Sequence, residues 1–226
     1  MLYLYSKALL LSLIVMALSA CQSHVAPDAK QQVVKTEEKT LAYFQKNGQY
    51  SAQNNQAAFR RTLYGKTAQH YWVVQDFYQH THTPQTNAFI IFDERGLYEW
   101  DTLPFIDGTV VFYFPDGSKK STVHLQKGQA IGTKETYYAS GEVFKKQFFN
   151  AQHEATHEDY LLPDGRILMR LNADATNKEG FTYQVYDEQG QAYIPTPETK
   201  ELFLHAITHI QQAEIALQQK QEALSD

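Results

Sequence analysis

The chain has 226 residues, with 20 basic and 25 acidic side chains, a formal net charge of −5 and 13% aromatic residues. That modest negative charge, with no basic run longer than a Lys-Lys or Arg-Arg pair, excludes a nucleic-acid partner, because phosphate backbones are held by clustered cations. A single cysteine excludes an internal disulfide and a thiolate metal cage, so stability rests on ordinary packing.

Residues 1–20 carry one lysine, Lys7, and no acid, and contain the apolar run 8–17 (ALLLSLIVMA). The run is too short for a spanning helix and predicts a secretory signal peptide. Leu18, Ser19, Ala20 and Cys21 follow, small residues leading to the cysteine. This ending resembles the lipobox of bacterial lipoproteins. The resemblance implies that the Cys21 thiol takes a diacylglyceryl group, that cleavage follows Ala20, and that the new amino end is open to acylation. Acyl chains contribute about 0.8 kcal/mol per buried methylene, so they hold a protein on a membrane that no protein segment crosses. Gln22 stands where inner-membrane lipoproteins of many enteric bacteria carry aspartate. The family rule then implies the outer membrane of a Gram-negative cell, facing the periplasm or the surface.

Residues 21–35 are polar with one proline and read as a flexible tether from the lipidated cysteine, with His24 solvated. The β-repeat domain expected next covers 36–195 and opens with a short helix. Thr36 followed by Glu37 and Glu38, then LAYFQK and the Asn47-Gly48 pair, reads as a capped helix with its stop, packing Leu41 and Phe44 inward. Beyond it, YWVVQDFY (71–78), NAFIIF (87–92) and VVFYF (110–114) are short, aromatic and β-branched, which predicts strands.

A period appears when turn glycines are aligned: Gly96, Gly117, Gly141, Gly165 and Gly190 lie 21, 24, 24 and 25 residues apart. GTVVFYFPDG (108–117) aligns with GTKETYYASG (132–141) without a gap. Each unit has an aromatic strand, a glycine turn and a return strand with lysines, among them Lys119, Lys120, Lys145 and Lys146. Glycine accepts the positive φ of the turn, and rings before it fill the space between hairpins. One hairpin is marginal alone, so several must stack.

The segments FYFPDGSKKSTVHLQKGQAIG (112–132) and KGQAIGTKETYYASGEVFKKQFFN (127–150) resemble the variant MORN repeats of bacteria. GKTAQHYWVVQDFYQ (65–79) is similar to the upstream part of MORN-type lipoproteins of Gram-negative bacteria. The resemblance implies an open, elongated antiparallel β-hairpin array used for binding or scaffolding, antitoxin-like in some relatives, with no catalytic residues to carry over.

The last segment, 196–226, follows Pro195 and Pro197 and predicts a long amphipathic α-helix. Phe203, Ile207, Ile210 and Leu217 keep three-four spacing with Ala206 and Ala213 beside them. Its glutamine-rich polar face suits docking on the domain or on a partner helix, and the end beyond about residue 218 is expected to project freely.

One stretch argues for chemistry. His153, Glu154 and His157 spell His-Glu-x-x-His, which on a helix grips zinc and activates a water. Sliding the repeat by 24 residues places this stretch on the loose turn and strand start of a hairpin, where histidines four apart are roughly 13 Å distant. A helix from Asn150 to Leu162 is the competing possibility. His205 and His209 share a helix face but make only two ligands, and His80 and His82 fall in an exposed loop. No nucleophile elbow or phosphate loop is present, so no catalytic or metal residue and no cofactor is assigned. The expected fold is mainly β, an open hairpin array with a short N-terminal and a long C-terminal helix. The expected function is a non-enzymatic, lipid-anchored protein-binding surface. A zinc-dependent hydrolase using 153–157 is the alternative, and an envelope scaffold assembled through the C-terminal helix is a third possibility.

Overall fold

The computed structural model describes residues 28–223 apart from 52 and 55; the expected signal peptide, Cys21, His24 and most of the expected tether lie outside them. Among the described residues fourteen strands form one open antiparallel sheet. In chain order they are β1 (Lys35–Phe44), β2 (Tyr50–Ser51), β3 (Phe59–Lys66), β4 (Trp72–Tyr78), β5 (Phe89–Ile91), β6 (Ile106–Tyr113) and β7 (Lys119–Gln126). Then come β8 (Gln129–Ala130), β9 (Gly132–Tyr137), β10 (Val143–Phe149), β11 (Ala155–Leu161), β12 (Ile167–Ala173), β13 (Phe181–Tyr186) and β14 (Ala192–Tyr193). Among the described residues one α-helix, α1 (Lys200–Ala223), follows. From β3 to β14 the chain is a meander, each strand beside its predecessor except for the small flap β8, and β1 and β2 close the other end.

The repeat is visible in the turns. The amides of Phe114, Tyr138, Leu162 and Asp187 donate to the carbonyls of Ser118, Glu142, Arg166 and Gln191, and the turn glycine in each case donates back. Gly117, Gly141, Gly165 and Gly190 all sit at positive φ, between 79° and 109°. Gly96 does not belong to the series. It lies in a 3-10 turn, Glu94–Leu97, where a Cβ would meet Phe105 at 2.6 Å, so close approach is what demands glycine there.

The same turn recurs without glycine. Thr67 N–H donates to the Tyr71 carbonyl and His70 N–H to that of Thr67, with His70 at φ 65°. A left-handed conformation costs an L-residue about 1–2 kcal/mol, partly offset by the greater chain entropy that glycine loses. His70→Gly is therefore expected to stabilise the fold by about 0.5–1 kcal/mol, read as a higher urea midpoint at unchanged slope; a lower midpoint would contradict it.

Two expectations for the N-terminal region are overturned. Residues 36–46 do not form a helix: β1 pairs with β3 from Lys35 opposite Lys66 to Phe44 opposite Phe59. Its buried residues, Ala42 and Phe44, alternate, and Phe44 packs on Trp100 at 5.3 Å between ring centroids. Helix propensity in Glu37, Glu38 and Ala42 is outweighed by this tertiary pairing; Asn47-Gly48 is a hairpin turn rather than a helix stop. Residues 29–34, expected to belong to the flexible tether, are packed on the sheet instead. A 3-10 turn, Ala29–Gln32, buries Ala29 against Val73 and Ala88, and Val34 N–H binds the Lys66 carbonyl.

The sheet has two unlike faces. On the covered face, Leu63, Val74, Phe89, Ile91, Ile106 and Val110 are buried beneath the segment 93–105, chiefly Leu97, Leu103 and Phe105. Farther along, Tyr138, Phe144, Leu168, Met169 and Val185 are buried beneath Ala206, Ile210 and Ala213 of α1, with Phe203, Ile207 and Leu217 beside them. The end of α1 is fastened rather than free. Lys220 Nζ lies 3.0 Å from Asp116 and donates to the Ser118 hydroxyl and the Ala139 carbonyl. The opposite face carries the 3-10 turn over β3–β5 and is otherwise open among the described residues.

Candidate binding face

Strand register sets the open face, because directly paired residues in an antiparallel sheet project to the same side. One row crosses six strands: Thr122, Glu135, Lys146, Asp159, Arg170 and Gln184. Its four central side chains alternate in sign. Lys146 Nζ is 3.5 Å from Glu135, and Arg170 grips Asp159 with two bonds of 2.6 and 2.7 Å. The Asp159 carboxylate, buried at its base, raises the pKa of Arg170 further by hydrogen bonding. A second row runs Thr133, Phe148, His157, Asn172 and Thr182, and in it the Phe148 and His157 rings stack at 4.1 Å.

Beside these rows lies an open groove of about 900 Å³, lined among others by Lys30, Asn87, Tyr113, His124 and Tyr137. Lys119 reaches over the Tyr137 ring at 5.6 Å, and the Tyr137 hydroxyl donates to Glu135 at 2.9 Å. Burial pushes this hydroxyl above its ordinary pKa, so it remains a donor throughout the neutral range. The site thus offers paired charges, amide and hydroxyl groups, and aromatic edges on a concave surface. That mixture can recognise a folded polar surface.

The four lysines of the return strands are divided between the two faces. Lys119 and Lys146 stand on the open face, whereas Lys145 lies on the covered side over the Tyr160 ring and 3.6 Å from Glu158. Lys120 also turns to the covered side. A bulge explains it: Phe112 pairs with Ser121 and Tyr113 with Lys119, leaving Lys120 as the extra residue.

The His-Glu-x-x-His stretch is a hairpin turn running into β11, so the helix that zinc binding requires is not the conformation adopted. Asn150 N–H donates to the Glu154 carbonyl and His153 N–H to that of Asn150, the repeat's turn again, with His153 at φ 66° in the glycine position. The His153 Nδ1 bonds the Ala130 carbonyl at 3.0 Å, while His157 stacks on Phe148 and bonds Thr156. Glu154 accepts from the Asn150 side chain. Among the described residues no group of three or more His, Cys, Asp and Glu is placed to hold a metal ion. His205 is exposed, and His209 Nε2 meets the Tyr138 hydroxyl at 2.9 Å. Because Tyr138 gives its proton to the Leu161 carbonyl, His209 is the donor, and it docks the helix. His80 and His82 are exposed in their loop.

Sequence reasoning missed the alternating row, although the signal was there: Glu135 and Asp159, like Lys146 and Arg170, are 24 residues apart. It also missed the buried pair of Arg61 and Asp76, which no local pattern marks.

No protein-family profile matches the chain, and no curated protein matches it. Among solved structures, a chain of the GtfA/B complex bound to UDP and GlcNAc is similar at 12% identity, with a TM-score of 0.24. The likeness covers 60% of this chain and 25% of that one, so this chain spans about a quarter of that protein's length. Likeness at this level carries no activity across.

Proposed function

We propose that this chain is a lipid-anchored outer-membrane protein whose MORN-like β repeats act as a non-enzymatic protein-binding or scaffolding surface, with an antitoxin-like or immunity role as one form of it. The observation that carries this reading is the asymmetry of the sheet. One face is covered by α1 and by residues 93–105, while the other presents two in-register rows of polar and aromatic side chains that no element covers among the described residues. Paired charges with aromatic neighbours favour specific protein contact over membrane insertion.

The anchor fits the same reading. Asp28 and Lys30 line the groove rim, and seven residue steps of at most about 3.6 Å separate Asp28 from Cys21, a reach of about 25 Å. Lipid on Cys21 therefore keeps the groove close to the headgroups, where a membrane-bound partner would meet it.

Crosslinking and affinity capture from intact cells tests the proposal. Phe148→Ala combined with Lys119→Ala on the open face is expected to lower recovery of the principal crosslinked protein about tenfold. Leu204→Ser with Ile215→Ser, exposed positions on the outer side of α1, is expected to leave it unchanged. The reverse pattern would place the interface on the helix and overturn the open-face assignment. Acyl labelling that survives Cys21→Ser would remove the anchor.

A further inference from the structure

The covered face has a seam. The segment 93–105 caps one half and α1 the other, and between them a pocket of about 480 Å³ remains. Phe89, Ile106 and Val110 lie at its floor, and Trp100, Leu103 and Phe112 stand half-buried around it. At its mouth is Lys120.

Lys120 breaks the repeat. Three residues beyond the turn glycines Gly117, Gly141, Gly165 and Gly190 stand Lys120, Phe144, Leu168 and Tyr193. Phe144 and Leu168 are 2% and 4% exposed in the core beneath α1, and Tyr193 packs against the same cluster. Phe144 and Leu168 are the extra residues of bulges homologous to the one that turns Lys120 inward. The repeat therefore aims a core hydrophobe at this place, and the first unit puts a cation there. Departures from an otherwise consistent local rule are where function is expected.

Its surroundings leave the cation unmatched. None of the ion pairs among the described residues involves Lys120; its ammonium donates to the Gln221 side-chain oxygen at 2.9 Å and lies 5.7 Å from the Phe114 ring. Although the residue as a whole is exposed, the apolar surroundings of the ammonium lower its pKa. Of the carboxylates lining the pocket, Asp76 is neutralised by Arg61 and Asp101 is solvent-exposed. The pocket also holds Gln85, whose buried side-chain oxygen has no hydrogen-bond partner among the described residues. An anion is wanted at the mouth, an apolar body at the floor, and an N–H donor toward Gln85.

We infer that this pocket binds a small carboxylate with an apolar body and an amide N–H, the chemistry shared by an N-acylated apolar amino acid and a peptide's apolar C-terminus. Lys120 pairs with the carboxylate, Trp100 and Phe112 enclose the side chain, and Gln85 accepts from the amide. The site is on the opposite side of the sheet from the proposed protein-binding face and stands or falls separately from it.

Equilibrium dialysis of the full lipidated protein in phosphatidylcholine nanodiscs, with radiolabelled N-acetyl-L-phenylalanine and empty nanodiscs as the blank, tests this. Saturable binding of one ligand per chain is expected. N-acetyl-L-phenylalaninamide, which lacks the charge, is expected to bind about tenfold more weakly. Lys120→Gln should erase that preference, and Lys120→Leu, which restores the repeat's core residue, should raise Tm and abolish binding. A longer peptide ending in phenylalanine binding more tightly than the acetylated amino acid would identify a peptide C-terminus as the source, and equal binding the free acid. No saturation by about 10 mM, or acid and amide bound equally by the unmutated protein, would overturn the inference.

Discussion

Arg61→Met is expected to cost about 3–5 kcal/mol of stability, because it strands a buried charge. Arg61 is fully buried on β3 and grips Asp76 of β4 with two bonds of 2.7 and 2.8 Å. Its remaining nitrogen, Nη1, donates to the carbonyls of Gly96, Leu97 and Glu99, so one side chain staples the capping segment onto the sheet. Methionine fills much of the volume but leaves the Asp76 carboxylate, itself 4% exposed, without its cation and the Leu97 and Glu99 carbonyls without this donor, while the Gly96 carbonyl keeps its bond from the Thr102 hydroxyl. Urea unfolding measures the total. A local consequence separates this account from simple core loss: Trp100, stacked on Phe59 at 4.3 Å, should become more exposed and its emission shift to the red before global unfolding. In Arg61→Met/Asp76→Leu the two losses should not add, since the second change removes the orphaned charge. Additive losses would show that the pair is not coupled.

The repeat region was legible because its physics is local. A glycine at positive φ every 24 residues needs only its neighbours, and the turns at Gly117, Gly141, Gly165 and Gly190 form where that spacing puts them. The long helix was legible for the same reason, since Phe203, Ile207 and Ile210 repeat within one element and pack as the spacing predicts. What failed was decided by distant residues. Residues 36–46 have helical composition, but Phe44 finds Arg61 at 5.0 Å and Trp100 at 5.3 Å, partners that no window of sequence around it reveals. Gly96 kept roughly the right spacing yet serves a capping turn pressed on Phe105.

The candidate site was legible only in part. Lysines at 119, 120, 145 and 146 could be read as decorating return strands, but strict alternation cannot say which side each takes once a bulge intervenes. The turn glycine brings that bulge with it, and the added residue sends Lys120 and Lys145 to one side and Lys119 and Lys146 to the other. The His-Glu-x-x-His stretch illustrates the same coupling. His153 occupies the left-handed position that glycine fills in the turns at Gly117, Gly141, Gly165 and Gly190, so its apparent motif lies in a turn and not on a helix.

Bulge geometry also sets the second large effect. Phe144 and Phe148 are four residues apart on β10, and in a regular strand they would share a face. The extra residue between the Val143–Tyr137 and Lys145–Thr136 pairs is Phe144, which turns to the covered side, while Phe148 pairs with Thr133 and His157 on the open side. Phe144 is 2% exposed, with ring centroids of Tyr138 and Tyr160 at 5.0 and 5.6 Å, and α1 closes over it through Ala206 and Ile210. Phe144→Ala is therefore expected to cost about 3–5 kcal/mol, because the cavity is walled by the sheet and by a helix whose far end Lys220 holds in place. Phe148→Ala removes the same atoms from a half-open position and is expected to cost about 1 kcal/mol, mainly its stacking on His157. Denaturant midpoints of the two variants compare them directly. Near-equal losses would mean that the bulge does not sort these rings, and with it would go the assignment of one face to the core and the other to a partner.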